Sequence, residues 1–195
     1  LRPDHAETHY NRGISQAKRE RHLGAVEDFT EVIRLMPDHV DAFDNRGISY
    51  AQLGNHQKAI QDFTEVIRLR PYHAETHYNR GMSQAELGNH LEAVEDFTEA
   101  IKLGPDNADT FYNRGSACVR LGEHNNAVAD FTSAIRLRHY DTDSLNSRGR
   151  TYIVLGEYQR AVDDSTNAIK FLPDHGDAFN TRGLAYDGLG KYEKA

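Results

Sequence analysis

Asparagine recurs in this sequence at Asn11, Asn45, Asn79 and Asn113. A carboxamide both donates and accepts hydrogen bonds, so a row of them can pair with the N–H and C=O groups of an extended peptide backbone, whatever its sequence. Tyr10, Tyr78 and Tyr112 stand beside the row; Ile14, Ile48, Met82 and Ser116 follow one helical turn on, close enough to share a face. Ser147 and Thr181 take the asparagine's place further along, so the first four members are expected to grip a peptide better than the last two. Each member is followed by an arginine: Arg12, Arg46, Arg80, Arg114, Arg148 and Arg182. Asp28, Asp62, Asp96, Asp130 and Asp164 come sixteen residues after the first five. A guanidinium fork matches a carboxylate, so this pairing reads as a structural clasp between two helices. It also neutralises what would otherwise be a basic ladder for an acidic ligand. The interval in every row is 34 residues, or twice that where Asp44 interrupts the tyrosines.

The 11 histidines raise the question of metal. His22, His56, His90 and His124 form one row, and His5, His39, His73 and His175 fall where turns are expected. Metal ligands must converge, whereas equivalent residues on successive helical units stand ~10 Å apart at helix-packing distances. The first set is therefore expected to pack at a turn, in the place taken elsewhere by Tyr158 and Tyr192, and no metal is assigned. Acids recur at Glu7, Asp41, Glu75, Asp109, Asp143 and Asp177. They suit the first turn of a helix, where the macrodipole favours negative charge, and they form a stripe that would also select basic peptides. Nothing points to catalysis: the glycines sit singly rather than in a phosphate-cradling loop, and no nucleophile–base–acid set stands out. No catalytic residue and no cofactor is assigned.

Composition narrows the classes further. The chain is 38% hydrophobic and 27% charged, with a formal net charge of −7. That balance suits a folded helical chain and argues against nucleic acid, which demands clustered Lys and Arg. It leans towards neutral or basic partners. No apolar run reaches the 18 residues a membrane span needs. Cys118 is the only cysteine, which excludes an internal disulfide and a cysteine-based zinc site. A start at Leu1 rather than Met points to an excised or processed segment, and leaves compartment undecided, with the cytoplasm as the expectation.

The rows must be positioned by repeated elements. Asn-Arg-Gly at 11–13, 45–47, 79–81 and 113–115 continues as Ser147-Arg148-Gly149 and Thr181-Arg182-Gly183; Asp-Phe-Thr keeps the same period from Asp28-Phe29-Thr30 to Asp164-Ser165-Thr166. The units run 6–39, 40–73, 74–107, 108–141 and 142–175, with 176–195 a truncated sixth and 1–5 the tail of a preceding one. Within the third, the spacing predicts a helix from Ala74 to Leu87, a stop at Gly88-Asn89, and a second helix from His90 to Leu103. Gly-Pro-Asp at 104–106 breaks that helix. Gly81 and its equivalents sit mid-helix at a cost of roughly 1 kcal/mol each relative to Ala. Their persistence suggests close approach of two helix backbones, with Ala25, Ala59, Ala93, Ala127, Ala161 and Ala195 opposite.

Glycine at the eighth place, alanine at the twentieth, an aromatic at the twenty-fourth and proline at the thirty-second resemble the tetratricopeptide repeat over essentially the whole chain. Departures are His139 in place of proline, Ser165 in place of the aromatic, expected to loosen the fifth unit, and Glu20 in place of the first turn glycine. The resemblance implies an all-α, right-handed superhelical solenoid whose first helices line a concave groove. The groove would then carry the asparagine row, which resembles the asparagine ladder in the repeat arm of O-linked N-acetylglucosamine transferase. The cochaperone members of the family clamp a C-terminal carboxylate with basic residues. Here those positions carry Tyr10, Asp44 and Glu75, which disfavours a chaperone tail as ligand.

The leading expectation is a non-catalytic interaction scaffold that holds an extended, neutral-to-basic peptide through Asn11, Asn45, Asn79, Asn113, Tyr10, Tyr78, Tyr112, Ile14, Ile48 and Met82. The rivals are a recruiting arm of a larger enzyme and a self-stacking structural array. The ends of the array lack neighbours, which leads us to expect head-to-tail association.

Overall fold

The computed structural model describes residues 3–191, with side chains from His5 onward. The expectations for Leu1, Tyr192 and Ala195 lie outside the described residues. Among the described residues there are eleven helices and no strand. They run α1 Pro3–Ala17, α2 His22–Leu35, α3 Val40–Gln52, α4 His56–Leu69, α5 Ala74–Glu86 and α6 His90–Leu103. There follow α7 Ala108–Arg120, α8 His124–Leu137, α9 Thr142–Val154, α10 Tyr158–Phe171 and α11 Gly176–Gly188. Successive odd and even helices form hairpins. The pair expected in the third unit is found to within one residue, Leu87 being the C-cap of α5.

Polar side chains start several of these helices by occupying orphan backbone N–H groups. Asn107 accepts from the Thr110 N–H at 3.2 Å, and Asp141 accepts from both the Ser144 N–H at 3.1 Å and the Ser144 hydroxyl at 2.7 Å. The hairpin turns close on a left-handed residue, supplied by glycine at Gly54, Gly88, Gly122, Gly156 and Gly190. In the first hairpin Glu20 takes that role at φ 59°, a conformation that strains a residue carrying Cβ.

The chain divides into two compact units, Leu1–Leu103 and Gly104–Ala195. In the first, α1 packs on α2, α3 on α4 and α5 on α6; each second helix also packs on the next first helix, and first helices touch in sequence. The second unit repeats the scheme from α7 to α11. Each hairpin therefore completes its core against a neighbour, as helical repeats do. Phe29, Phe63 and Phe97 are fully buried in the first unit with Ala25, Ala59 and Ala93 beside them, and Phe131 with Ala127 in the second.

The mid-helix glycines answer to those rings rather than to the alanines. A Cβ on Gly13, Gly47, Gly81 or Gly115 would stand 2.7–3.0 Å from the ring of Phe29, Phe63, Phe97 or Phe131 respectively. The glycine is thus a recess for an aromatic side chain. The expected neighbourhood of glycine and helix backbone is found at Gly149, where a Cβ would meet the Ala161 carbonyl oxygen at 3.5 Å and Thr181 Cγ2 at 3.4 Å. This is the hairpin in which Ser165 stands for phenylalanine. Ser165 is buried and donates to the Ala161 carbonyl at 2.6 Å, so its hydroxyl is satisfied. Tyr152, Val162 and Ala185 supply the apolar cluster there.

Candidate functional site

Each first helix presents two sets of side chains. One faces its own second helix and makes the clasp. Arg12, Arg46, Arg80, Arg114 and Arg148 reach Asp28, Asp62, Asp96, Asp130 and Asp164 at 2.6–2.7 Å. Nε and Nη2 both engage the carboxylate, which is the fork geometry expected from the spacing. The pair is more buried than its surface-like residue types suggest: the Asp96 side chain is 6% exposed and that of Arg80 23%. At Asp28 the Arg12 guanidinium holds the carboxyl below its usual range against the opposing effect of burial, with His9 assisting.

The third guanidinium nitrogen makes a bond that the sequence reading missed. Nη1 of Arg46, Arg80 and Arg148 donates to the hydroxyl of Thr30, Thr64 and Thr132, at 3.1, 3.2 and 2.8 Å. Each threonine belongs to the preceding repeat and donates its own proton to a helix carbonyl four residues back, at 2.7 Å. That commitment leaves its oxygen lone pairs turned to the arginine. The threonine recurs in the Asp-Phe-Thr triplet, but its partner lies in the following repeat, which no spacing within a hairpin shows.

A two-repeat alternation was missed too. His9 donates to Asp28 at 2.9 Å, and His77 stands 3.7 Å from Asp96 while its Nε2 donates to the Pro71 carbonyl. At the same place in alternate repeats, Phe43, Phe111 and Phe179 lie under the guanidinium groups of Arg46, Arg114 and Arg182 at 5.2–5.8 Å, a cation–π arrangement. His-x-x-Arg alternating with Phe-x-x-Arg was legible over the first four repeats; the fifth carries Leu145 at this place and the sixth Phe179.

The other set is the one expected to bind peptide. In the first unit, a cavity of about 300 Å³ between α3 and α5 brings together Ile48, Tyr78, Asn79 and Met82, with His56 and Glu86 at its margin. The Asn79 carboxamide makes no hydrogen bond within the described residues. Asn45 is differently placed: its amide donates to the Asp41 carbonyl at 2.7 Å and to the Tyr10 hydroxyl at 3.3 Å. Asn11 is exposed, and Ile14 half-buried, on α1. The tyrosines are half-buried, with Tyr10 packed on Phe29 and Tyr78 on Phe97 at ring separations of 5.9 Å. Asp44, buried enough for its carboxyl to be held above the usual range, accepts from Thr76 at 3.1 Å.

The second unit holds Asn113 and Tyr112, the latter 5.7 Å from the Phe131 ring. Ser147 is half-buried, whereas Thr181 is fully buried and donates to Asn146 at 2.7 Å. A cavity of about 350 Å³ opens between α7 and α9, lined by Ser116, Arg120, His124, Ser147, Arg150 and Val154 among others. Moved by 68 residues, the α3/α5 cavity falls on this one: Ile48 maps to Ser116, Gln52 to Arg120, Asn79 to Ser147, Met82 to Arg150 and Glu86 to Val154.

The histidine row His22, His56, His90 and His124 opens α2, α4, α6 and α8, each with Nδ1 shut away from solvent and unpartnered among the described residues. Among the described residues no three His, Cys, Asp or Glu side chains converge on a point that could hold a metal ion, and no helix is long and apolar enough to cross a membrane. Cys118 is buried, and burial, followed by Asp130 and Glu123, pushes its thiol up to about 11.

These hairpins, joined by an arginine clasp at a fixed period, define an all-α helical repeat protein. Residues 41–73 and 74–107 match one family model described as tetratricopeptide repeat, and residues 108–138 match a second of the same description. The chain belongs to the tetratricopeptide repeat family, whose arrays are protein-interaction scaffolds. Among solved structures, it is similar to MamA 41-end from Desulfovibrio magneticus RS-1, at 19% identity and a TM-score of 0.84 over 89% of this chain and 98% of that one. It is similar to YrrB, described as a tetratricopeptide repeat protein with an unusual peptide-binding site, at 23% identity and TM-score 0.77 over 87% of each chain. A tetratricopeptide repeat protein from Parabacteroides merdae ATCC 43184 aligns at 18% identity and TM-score 0.84, over 96% of this chain and 75% of that one. No curated protein matches the sequence.

Proposed function

We propose that the protein is a non-catalytic scaffold whose first-helix face docks an extended, neutral-to-basic peptide. In the first unit Asn11, Asn45 and Asn79 offer carboxamides; Tyr10, Tyr78, Ile14, Ile48 and Met82 offer apolar contact. Asn113 and Tyr112 take the same places in the second unit. The observation that carries this reading is the α3/α5 cavity, where an unbonded carboxamide, Asn79, stands among Ile48, Tyr78 and Met82. A concave apolar surface with a few polar groups free to pair is what peptide recognition requires. Glu86 at the margin, with Glu75 exposed on the same helix and neither in an ion pair among the described residues, favours a basic over an acidic segment; Asp41 is already paired with Arg70 at 3.2 Å.

The test is fluorescence anisotropy with a labelled peptide of alternating lysine and leucine. Leaving a buried polar group unpaired costs ~1–3 kcal/mol, so replacing Asn45 and Asn79 together by alanine weakens binding about tenfold or more. Ser147→Ala leaves it within about twofold by the same reasoning. Equal affinity of the parent and the asparagine double variant, with both folded by circular dichroism, rejects the reading.

A further inference from the structure

We infer that the α7/α9 cavity of the second unit is an acidic-peptide site: a pocket for a glutamate or aspartate side chain flanked by an apolar residue. The inference rests on the reading of first-helix faces as peptide-docking surfaces, and assigns the second unit a ligand opposite in charge to that of the first. The cavity occupies the same place in its repeats as the α3/α5 cavity, yet its chemistry is reversed. Gln52 and Met82 of the first become Arg120 and Arg150, and Glu86 becomes Val154, so two cations are gained and the carboxylate is lost.

Those two arginines stand apart from the clasp arginines of the same unit. Arg114 and Arg148 each hold a buried aspartate. Arg120 and Arg150 are exposed and form no ion pair among the described residues, and no acidic residue lines their cavity. Two unneutralised guanidinium groups at one cavity, in a chain whose formal charge is −7, concentrate positive potential on a small surface.

The remaining lining says what kind of anion fits. The Ser116 and Thr151 hydroxyls donate to carbonyls of their own helices, at 2.9 and 2.8 Å, so their protons are not offered to a ligand. Ser147 makes no side-chain hydrogen bond within the described residues and can donate. An anion would therefore be held by two planar forks and one hydroxyl, a set matched to a carboxylate. Val119, Val154 and Phe131 wall the same cavity with apolar surface. An acidic side chain next to an aliphatic one meets both demands. At about 350 Å³ the cavity holds a side chain or two of an extended segment, not a folded domain.

The experiment exchanges the identity of the cavity. A labelled peptide of alternating glutamate and leucine is titrated against the full chain, against Arg120→Gln/Arg150→Met, and against the reverse exchange Gln52→Arg/Met82→Arg. We expect the parent to bind it, the first double variant to bind at least tenfold more weakly with a shallower salt dependence, and the reverse exchange to bind more tightly than the parent. Circular dichroism and thermal unfolding report whether each variant is folded; these are exposed or half-buried positions, and Gln and Met are the residues the fold already carries one site over. Unchanged binding by Arg120→Gln/Arg150→Met, or no binding by the parent, overturns the inference. So does tighter arginine-dependent binding of a single-stranded oligonucleotide, which would make the anion a phosphate. The lysine–leucine peptide and the Asn45→Ala/Asn79→Ala variant separate the two readings: loss of that binding alone leaves the acidic site standing, and loss of the acidic site alone leaves the first unit's reading intact.

Discussion

Nη1 of Arg80 donates to the hydroxyl of Thr64, 3.2 Å away and one repeat earlier. The same guanidinium holds Asp96 of its own hairpin, so one side chain ties a second helix to its partner and both to the hairpin before. Two substitutions separate these roles. Thr64→Val keeps the shape and removes the hydroxyl, and with it both the bond from Arg80 and the bond to the Ile60 carbonyl; it lowers unfolding free energy by about 0.5–1.5 kcal/mol, since both bonds are exposed and water replaces them in part. Arg80→Ala leaves the Asp96 carboxylate buried without its partner, and the loss rises to about 3 kcal/mol. Adding Asp96→Ala to Arg80→Ala recovers part of it. Urea denaturation of the four proteins checks the order; equal losses for Thr64→Val and Arg80→Ala would show that the carboxylate does not depend on the fork.

Gly81 and Gly149 hold equivalent places and should respond to alanine with opposite signs. Alanine relieves the entropic cost of a mid-helix glycine by up to about 1 kcal/mol. At Gly149 the new methyl meets its neighbours at 3.4 Å or more, ordinary contact, so Gly149→Ala raises the melting temperature. At Gly81 it would stand 2.9 Å from the buried Phe97 ring, and the strain of overpacking, about 1–3 kcal/mol, outweighs the gain. Thermal unfolding of the two variants decides it; a rise for both would mean that the ring yields freely.

Cys118 should be inert. With its thiol pushed up to about 11 from 9.0 and its side chain buried, the thiolate is scarce at pH 8 in the folded protein. Iodoacetamide therefore labels the native chain far more slowly than the urea-unfolded one. Because the folded pKa is raised, the group's contribution to stability is intact below about pH 9 and declines as the pH rises towards 11. Native labelling as fast as that of the unfolded chain would contradict the burial.

The period was legible because a strict 34-residue interval repeats every element boundary, and the arginine–aspartate pairs followed because both members recur in one hairpin. Three features were not legible, each for a geometric reason. The bond from Arg80 to Thr64 depends on how one hairpin leans on the next, which no within-hairpin spacing encodes. Gly81 lies sixteen residues from Phe97 and twelve from Ala93, and only the rotation of α6 decides that the ring fills the recess. The paired cations of the α7/α9 cavity stand at different places in their repeats, Arg120 at the end of α7 and Arg150 past the middle of α9. No row of equivalents shows them side by side.

The threonine–arginine bond has one more consequence. Thr30 and Thr64 present the same acceptor, and Arg46 and Arg80 the same donor, so each coupling is interchangeable with the next. If residues 40–73 were excised, Thr30 would meet Arg80 where it now meets Arg46, and the splice would bring together groups already suited to each other. A chain with such standard joints can lengthen or shorten by whole hairpins without a new interface having to arise. Its ligand-facing side chains, free of that duty, can then diverge from one hairpin to another.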